Sequence, residues 1–227
     1  MAVFTTLTPL EVRKELPDFN IGELLSLEPI ASGIENTNYF LDTTEGRWVL
    51  TVFERLSESQ LPFYLELCAH LRSQGCPVAA PVRTKSGQLF SHIKGKPFSI
   101  ANRLEGRSIE NVTAKECASM GEGLARMHIA ARGFSLFQEN LRGPQWWQAT
   151  APVVLPHLDP TVGAMLSEEV NHQLTVFSDS QFQALPVAAC HCDLFRNNAM
   201  IVGHGTEQEH VSGVFDFYFA GCTALLF

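Results

Sequence analysis

The chain has 227 residues, 45% of them hydrophobic and 18% charged, a balance that builds a buried core and excludes a disordered segment. A formal net charge of −8 argues against a duplex nucleic-acid binder, which presents a basic face. No apolar run reaches membrane-spanning length and the first ten residues lack the pattern of a signal peptide, so the expectation is a cytoplasmic protein without a membrane partner.

Pro9 to Leu16 reads as a short helix. Three strands follow, Leu27 to Ala31, Tyr39 to Asp42 and Arg47 to Phe53, rich in aliphatic and aromatic residues and separated by turns. The first two are joined by the small, polar loop Ser32-Gly33-Ile34-Glu35-Asn36-Thr37-Asn38, which suits either a plain hairpin connection or a cover over phosphates. Apolar residues at Leu61, Leu65, Cys68, Ala69 and Leu71 predict an amphipathic helix from Ser59 to Gln74, closed by Gly75. Two more strands, Gln88 to Ile93 and Pro97 to Leu104, precede a polar break at Glu105-Gly106, the candidate hinge between a lobe over 1–104 and a lobe over 105–227.

The second half is more helical. Thr113 caps a helix to about Ala131, with Cys117, Met120, Leu124, Met127 and His128 on one stripe. Residues 140–160 read as irregular because of their prolines, and Val162 to Ala184 as a helix. A buried strand, Val187 to Cys190, feeds the loop from His191 to Asn198. The strands Ala199 to Val202 and His210 to Phe215 then form a hairpin ending at Asp216.

Chemistry concentrates at that end. His191-Cys192-Asp193-Leu194-Phe195-Arg196-Asn197-Asn198 is an H-x-D-x-x-x-x-N sequence, and an apolar strand leads from it to Asp216. This is the order in which protein-kinase-like phosphotransferases place a catalytic base and two metal ligands. A loop aspartate accepts a hydroxyl proton, while an amide oxygen and a second carboxylate suit a hard cation such as Mg²⁺. Cys190-His191-Cys192 suggests zinc at first sight, but alternating side chains with no second ligand pair do not make a zinc site.

Ser32 to Phe40, Leu50-Thr51-Val52-Phe53-Glu54, Leu61-Pro62-Phe63-Tyr64, Leu124-Ala125-Arg126-Met127-His128, the His191–Asn198 loop and Asp216-Phe217-Tyr218-Phe219-Ala220 together resemble homoserine kinases of the aminoglycoside-phosphotransferase-like type. The resemblance implies an α+β, protein-kinase-like two-lobed fold: an antiparallel sheet with a helix, then a helical lobe carrying the catalytic hairpin. It implies ATP and Mg²⁺ as cofactors and a small-molecule hydroxyl substrate, L-homoserine, phosphorylated in threonine biosynthesis. Carried onto this chain, Asp193 is the catalytic base and Asn198 and Asp216 are the metal ligands. Gly33, Asn36, Asn38 and Arg103 hold the nucleotide, and His191 braces the loop.

Two features depart from that pattern. Many relatives grip the ATP phosphates with a third-strand lysine where this chain has Thr51, and Arg55 is one candidate replacement. The chain also stops soon after Asp216, where relatives continue into further helices. The expectation is therefore a truncated chain whose last aromatics, Phe217, Tyr218, Phe219 and Phe227 among them, leave an exposed apolar patch beside the catalytic hairpin, the alternative being that Ala220 to Phe227 folds back and seals the lobe. The alternatives are a kinase of another alcohol, an amino sugar or choline (for which Trp146-Trp147 offer aromatic faces), a non-catalytic nucleotide-binding module, and a Cys–His hydrolase using Cys190 or Cys192.

Overall fold

A five-stranded antiparallel sheet dominates the first hundred residues of the computed structural model, which describes residues 3–226 and so leaves Phe227 outside the described residues. Helix α1 (Pro9–Glu15) is started by Thr8, whose hydroxyl accepts from the Glu11 amide while Glu11 returns a bond to Thr8, a reciprocal cap. The strands are β1 (Leu24–Pro29), β2 (Thr37–Thr43), β3 (Gly46–Val52), β4 (Ser91–Ile93) and β5 (Lys96–Asn102), in the order β1-β2-β3-β5-β4. Alternation gives the sheet two faces. Tyr39, Leu41, Leu50, Val52, Phe98 and Ile100 bury themselves against α1 and the turn after it. The opposite face carries the paired rows Asn38–Thr51–Ser99 and Phe40–Val49–Ala101.

Helix α2 (Leu61–Ser73) crosses between the halves. Its Phe63, Tyr64, Leu67, Cys68 and Leu71 join one core with Met127 and Ala131 of α3 (Ala114–Ala131) and with residues of the C-terminal strands. Phe53 stands beside that junction, 1% exposed, its ring edge-on to Tyr218 with centroids 5.2 Å apart. Thr113 caps α3 as its sequence predicts, with Glu116 completing the reciprocal cap. The stripe differs in one residue: Cys117 is exposed and Glu116 is buried in its place. Glu116 accepts from His204 Nδ1 at 2.7 Å, and Thr113 donates its hydroxyl to Glu209 at 2.9 Å, so this polar cluster ties the far turn of the catalytic hairpin to α3.

The stretch read as irregular contains α4 (Pro144–Val154), followed by α5 (Pro160–Ser178) and the short α6 (Ser180–Gln183). Its prolines fit because Pro144 and Pro160 open their helices, where no N–H partner is needed, and Pro152 falls near the end of α4. Trp147 packs edge-on to Phe177 of α5, and Trp146 lies under the Arg142 guanidinium. The pair therefore belongs to helix packing and to Arg142, and makes no open aromatic box for choline.

Strands β6 (Val187–Cys190), β7 (Ala199–Val202) and β8 (His210–Val214) lie where the sequence places them. A ninth strand, β9 (Gly221–Ala224), was not legible. It returns antiparallel to β6, pairing Gly221 with Cys190 and Ala224 with Val187. That return covers part of the expected patch at the hairpin, burying Phe217, Ala220 and Ala224, while Leu226, Phe195 and Val187 stay exposed. Further large exposed apolar side chains fall along residues 136–165, at Phe137, Leu141, Val153, Val162 and Met165.

The β7–β8 hairpin is held on both edges. Arg107 exchanges backbone hydrogen bonds with Ile201, and Val214 pairs with the Pro77–Ala79 segment. Gly106 makes the first contact possible: its φ is +91°, and a Cβ there would stand 2.3 Å from the Ile201 carbonyl oxygen.

Candidate active site

The candidate site forms where the catalytic loop and the open end of the hairpin meet the polar face of the five-stranded sheet. Asn198 ends a short turn after Phe195, and its carbonyl accepts from the Phe215 amide at 3.1 Å. Register across the hairpin thus sets Asn198 and Asp216 at the same end. The Asn198 amide nitrogen donates to the Asp193 carbonyl at 2.8 Å and approaches the Asp193 carboxylate at 3.4 Å. With that nitrogen so engaged, the amide oxygen is left available as a ligand atom.

His191 joins the two loops. Its Nε2–H donates to the Phe215 carbonyl at 2.9 Å, and its Nδ1 accepts from the Asp193 amide at 3.2 Å. Those partners demand the neutral ring, and burial pushes its pKa down in the same sense. The ring also packs on Phe217, with centroids 4.4 Å apart. His191 is a brace, as the resemblance implied. Both nitrogens being occupied, it serves neither zinc nor a cysteine nucleophile. Burial pushes Cys190 up to about 12 and Cys192 up to about 11, which leaves both as thiols at neutral pH and removes the hydrolase reading.

Two non-glycine residues flank the site with left-handed backbone, Cys192 at φ 60° and Asp216 at φ 66°. Such conformations cost on the order of 1–3 kcal/mol and persist where surroundings over-determine them. Here the His191 bridges and the β6–β9 pairing do so. Asp216 is open to solvent by surface area, yet protein walls it on the remaining sides. That desolvation, then the charges of Asp193 and Glu35, push its carboxyl up to about 6. A carboxylate crowded by like charge, at the same hairpin end as the Asn198 amide, fits a hard divalent cation. Glu35 was not singled out from the sequence, because only folding brings it near enough for its charge to act on Asp216.

The predicted nucleotide residues all lie on or beside the sheet. Gly33 has φ +111° in the β1–β2 loop, Asn36 is buried in it, and Asn38 opens the polar row. The Asn38 side-chain oxygen accepts from the Thr51 hydroxyl at 2.7 Å. Arg103 stacks its guanidinium 3.8 Å from the Phe40 ring centroid. Tyr218 comes up from the other side against the hydroxyls of Thr51 and Ser99, and burial raises its pKa so that the phenol stays protonated. The place of a third-strand lysine is thus filled by a neutral cluster of three hydroxyls and an amide.

Asp193, the Asn198 amide and Asp216 at one hairpin end, with a polar sheet face nearby, are the kinds of groups a phosphotransferase cleft uses. The phosphotransferase enzyme family profile matches residues 26–227. The chain is 45% identical to the homoserine kinase of Cupriavidus necator over 231 residues, covering all of this chain and 70% of that protein. It is 43% identical to the homoserine kinase of Paraburkholderia phymatum, covering 71% of that protein. Among solved structures, a spectinomycin phosphotransferase in complex with ADP and spectinomycin superposes with a TM-score of 0.62 at 13% identity, over 97% of this chain and 72% of that one. An aminoglycoside phosphotransferase from Alicyclobacillus acidocaldarius gives 0.66 at 15% identity, over 97% and 68%. The chain belongs to the phosphotransferase enzyme family, with curated relatives named homoserine kinase and the α+β fold of the aminoglycoside phosphotransferases. Among its described residues no helix is long and apolar enough to cross a membrane.

Proposed function

We infer that the chain transfers a phosphoryl group from ATP to the side-chain hydroxyl of L-homoserine, with residues 1–104 as the nucleotide lobe and 105–227 as the catalytic lobe. The observation that supports the chemistry is the hydrogen bonding that ties the Asp193–Asn198 loop to the strand end before Asp216, through His191 and the Asn198 carbonyl. The substrate rests on relatives at 43% and 45% identity that are named homoserine kinase.

In this reading Asp193 orients the hydroxyl and accepts its proton as the phosphoryl group leaves ATP. The Asn198 amide oxygen and the Asp216 carboxylate hold Mg²⁺, which neutralises phosphate charge when bound. Gly33, Asn36 and Asn38 present the loop to the nucleotide, and Arg103 with Phe40 lines its slot. Rate enhancement comes from positioning and electrostatics, because the protein forms no covalent bond to the phosphoryl group.

The test is a coupled ADP-release assay with homoserine, an aminoglycoside and choline as acceptors. Homoserine-dependent ADP release that exceeds the other two by at least about tenfold in kcat/KM supports the assignment. A preparation that binds Mg·ATP yet turns over another alcohol, or none, rejects it.

A further inference from the structure

Asp193 and Asp216 bring two carboxylates to the site, the Glu35 charge acts on Asp216 from the β1–β2 loop, and a nucleotide triphosphate adds more negative charge. Metal neutralises part of that load, and the family pattern supplies a third-strand lysine for the rest. Thr51 stands in its place, tied to Asn38 and lying against Tyr218, with no cation among the three. The protein charge that meets the phosphates has to come from elsewhere.

The other basic side chains around the sheet are committed. Lys96 is held by the Glu54 carboxylate and by the Thr5 hydroxyl at 2.8 Å. Lys94 pairs with Glu11 at 3.0 Å, beside α1. Arg47 approaches Asp42 at 3.6 Å near the opposite end of β3 from Val52, and Arg83 pairs with Glu66 at 2.7 Å. Arg103 lies flat on Phe40 at the hinge end of the polar face. Arg55 differs. It sits just beyond the cleft end of β3, 73% exposed, and its ion-pair partner among the described residues is Glu35 at 4.0 Å. Glu35 belongs to the β1–β2 loop, and its charge is felt by Asp216. Arg55 thus pairs with the same β1–β2 loop that is assigned to the nucleotide, just past the end of β3 that carries Thr51 and Val52.

We propose that Arg55, paired with Glu35 of the β1–β2 loop, is the residue that binds the nucleotide phosphates where Thr51 replaces a third-strand lysine. The proposal rests on the kinase reading above. A long, exposed pair is weak and costs little to break, so the guanidinium is free to turn from one carboxylate oxygen to phosphate oxygens. Its planar fork then makes two parallel charge-assisted bonds, which a lysine on a strand cannot. Glu35 has two roles in this arrangement: it parks the arginine when no nucleotide is bound, and it releases it when phosphates compete.

The experiment is calorimetric titration of the full chain with Mg·ATP, Mg·ADP and adenosine, for the parent, Arg55→Ala, Arg55→Lys and Glu35→Gln. Arg55→Ala should weaken Mg·ATP by about 10- to 100-fold, the loss expected for a charge-assisted contact, and leave adenosine unchanged. Arg55→Lys should restore part of the loss, and Glu35→Gln should bind ATP at least as tightly as the parent. Parent binding of Mg·ATP with Arg55→Ala within twofold of it overturns the assignment of Arg55 alone. Equal weakening for adenosine and ATP does the same, by showing a structural effect. A parent that binds no Mg·ATP overturns the kinase reading and this proposal with it.

Discussion

Replacing Asp193 by Asn removes a proton acceptor while changing almost nothing else that the structure relies on. The 2.8 Å bond from the Asn198 amide runs to the Asp193 backbone carbonyl, and the Asp193 amide bond to His191 is also backbone, so both survive. Only the 3.4 Å approach to the carboxylate is altered, and at that length it contributes little. Folding stability should therefore stay close to that of the parent. Turnover should fall by about 10²–10⁴-fold, or about 3–5 kcal/mol in the barrier. A second effect separates this from general damage. The Asp193 charge is one cause of the raised Asp216 pKa, so removing it should bring Asp216 down from about 6 towards the ordinary carboxylate range. Single-turnover ADP release gives the first quantity, and the pH dependence of Mg·ATP binding gives the second. Turnover within a few-fold of the parent, with the melting temperature unchanged, would refute the role of Asp193 as base.

Asp216 carries its own pH signature. Its folded pKa of about 6 lies above the ordinary aspartate value of 3.8, so the folded state holds the proton more tightly, and stability falls as pH rises between those values. In metal-free buffer, melting temperature should decline across that window, and Asp216→Asn should flatten the decline. The open face of the side chain reduces the size of the effect, so the sign is the test, and a rise with pH that Asp216→Asn abolishes would contradict it. Asp216→Ala should weaken Mg·ATP binding more than metal-free ATP binding by calorimetry, and equal losses would remove it from the metal site. Phe53→Ala empties a buried ring site between β3, α2 and Tyr218, and should cost about 3–5 kcal/mol in urea unfolding. Thr113→Ala deletes both the α3 cap and the Glu209 bond, and should lower stability by about 1–2 kcal/mol without changing nucleotide affinity.

Local chemistry was legible wherever a short stretch of chain carries the physical cause. Alternation along Tyr39–Asp42 and Arg47–Phe53 declares half-buried strands, Thr113 with Glu116 declares a helix start, and the Asp193–Asn198 spacing declares a loop that returns on itself. The proline-rich 140–160 stretch misled because a proline disfavours a helix interior but not its first turn, and the two cases differ only in where the helix begins. Pairings between distant segments were not legible. Nothing in Gly221–Ala224 alone says that it returns to β6, since a four-residue strand gains its order from the partner it meets. Nor do Glu35 and Arg55 reveal that they meet, or Tyr218 that its phenol enters the row of Thr51 and Ser99. The sequence by itself determined the fold class, through the order of its elements and its resemblance to a known family, and it nominated Asp193, Asn198 and Asp216, because residue type and spacing are local properties. The tertiary structure alone decided the electrostatics of the cleft, because charge interactions depend on distances between loops that no local pattern encodes.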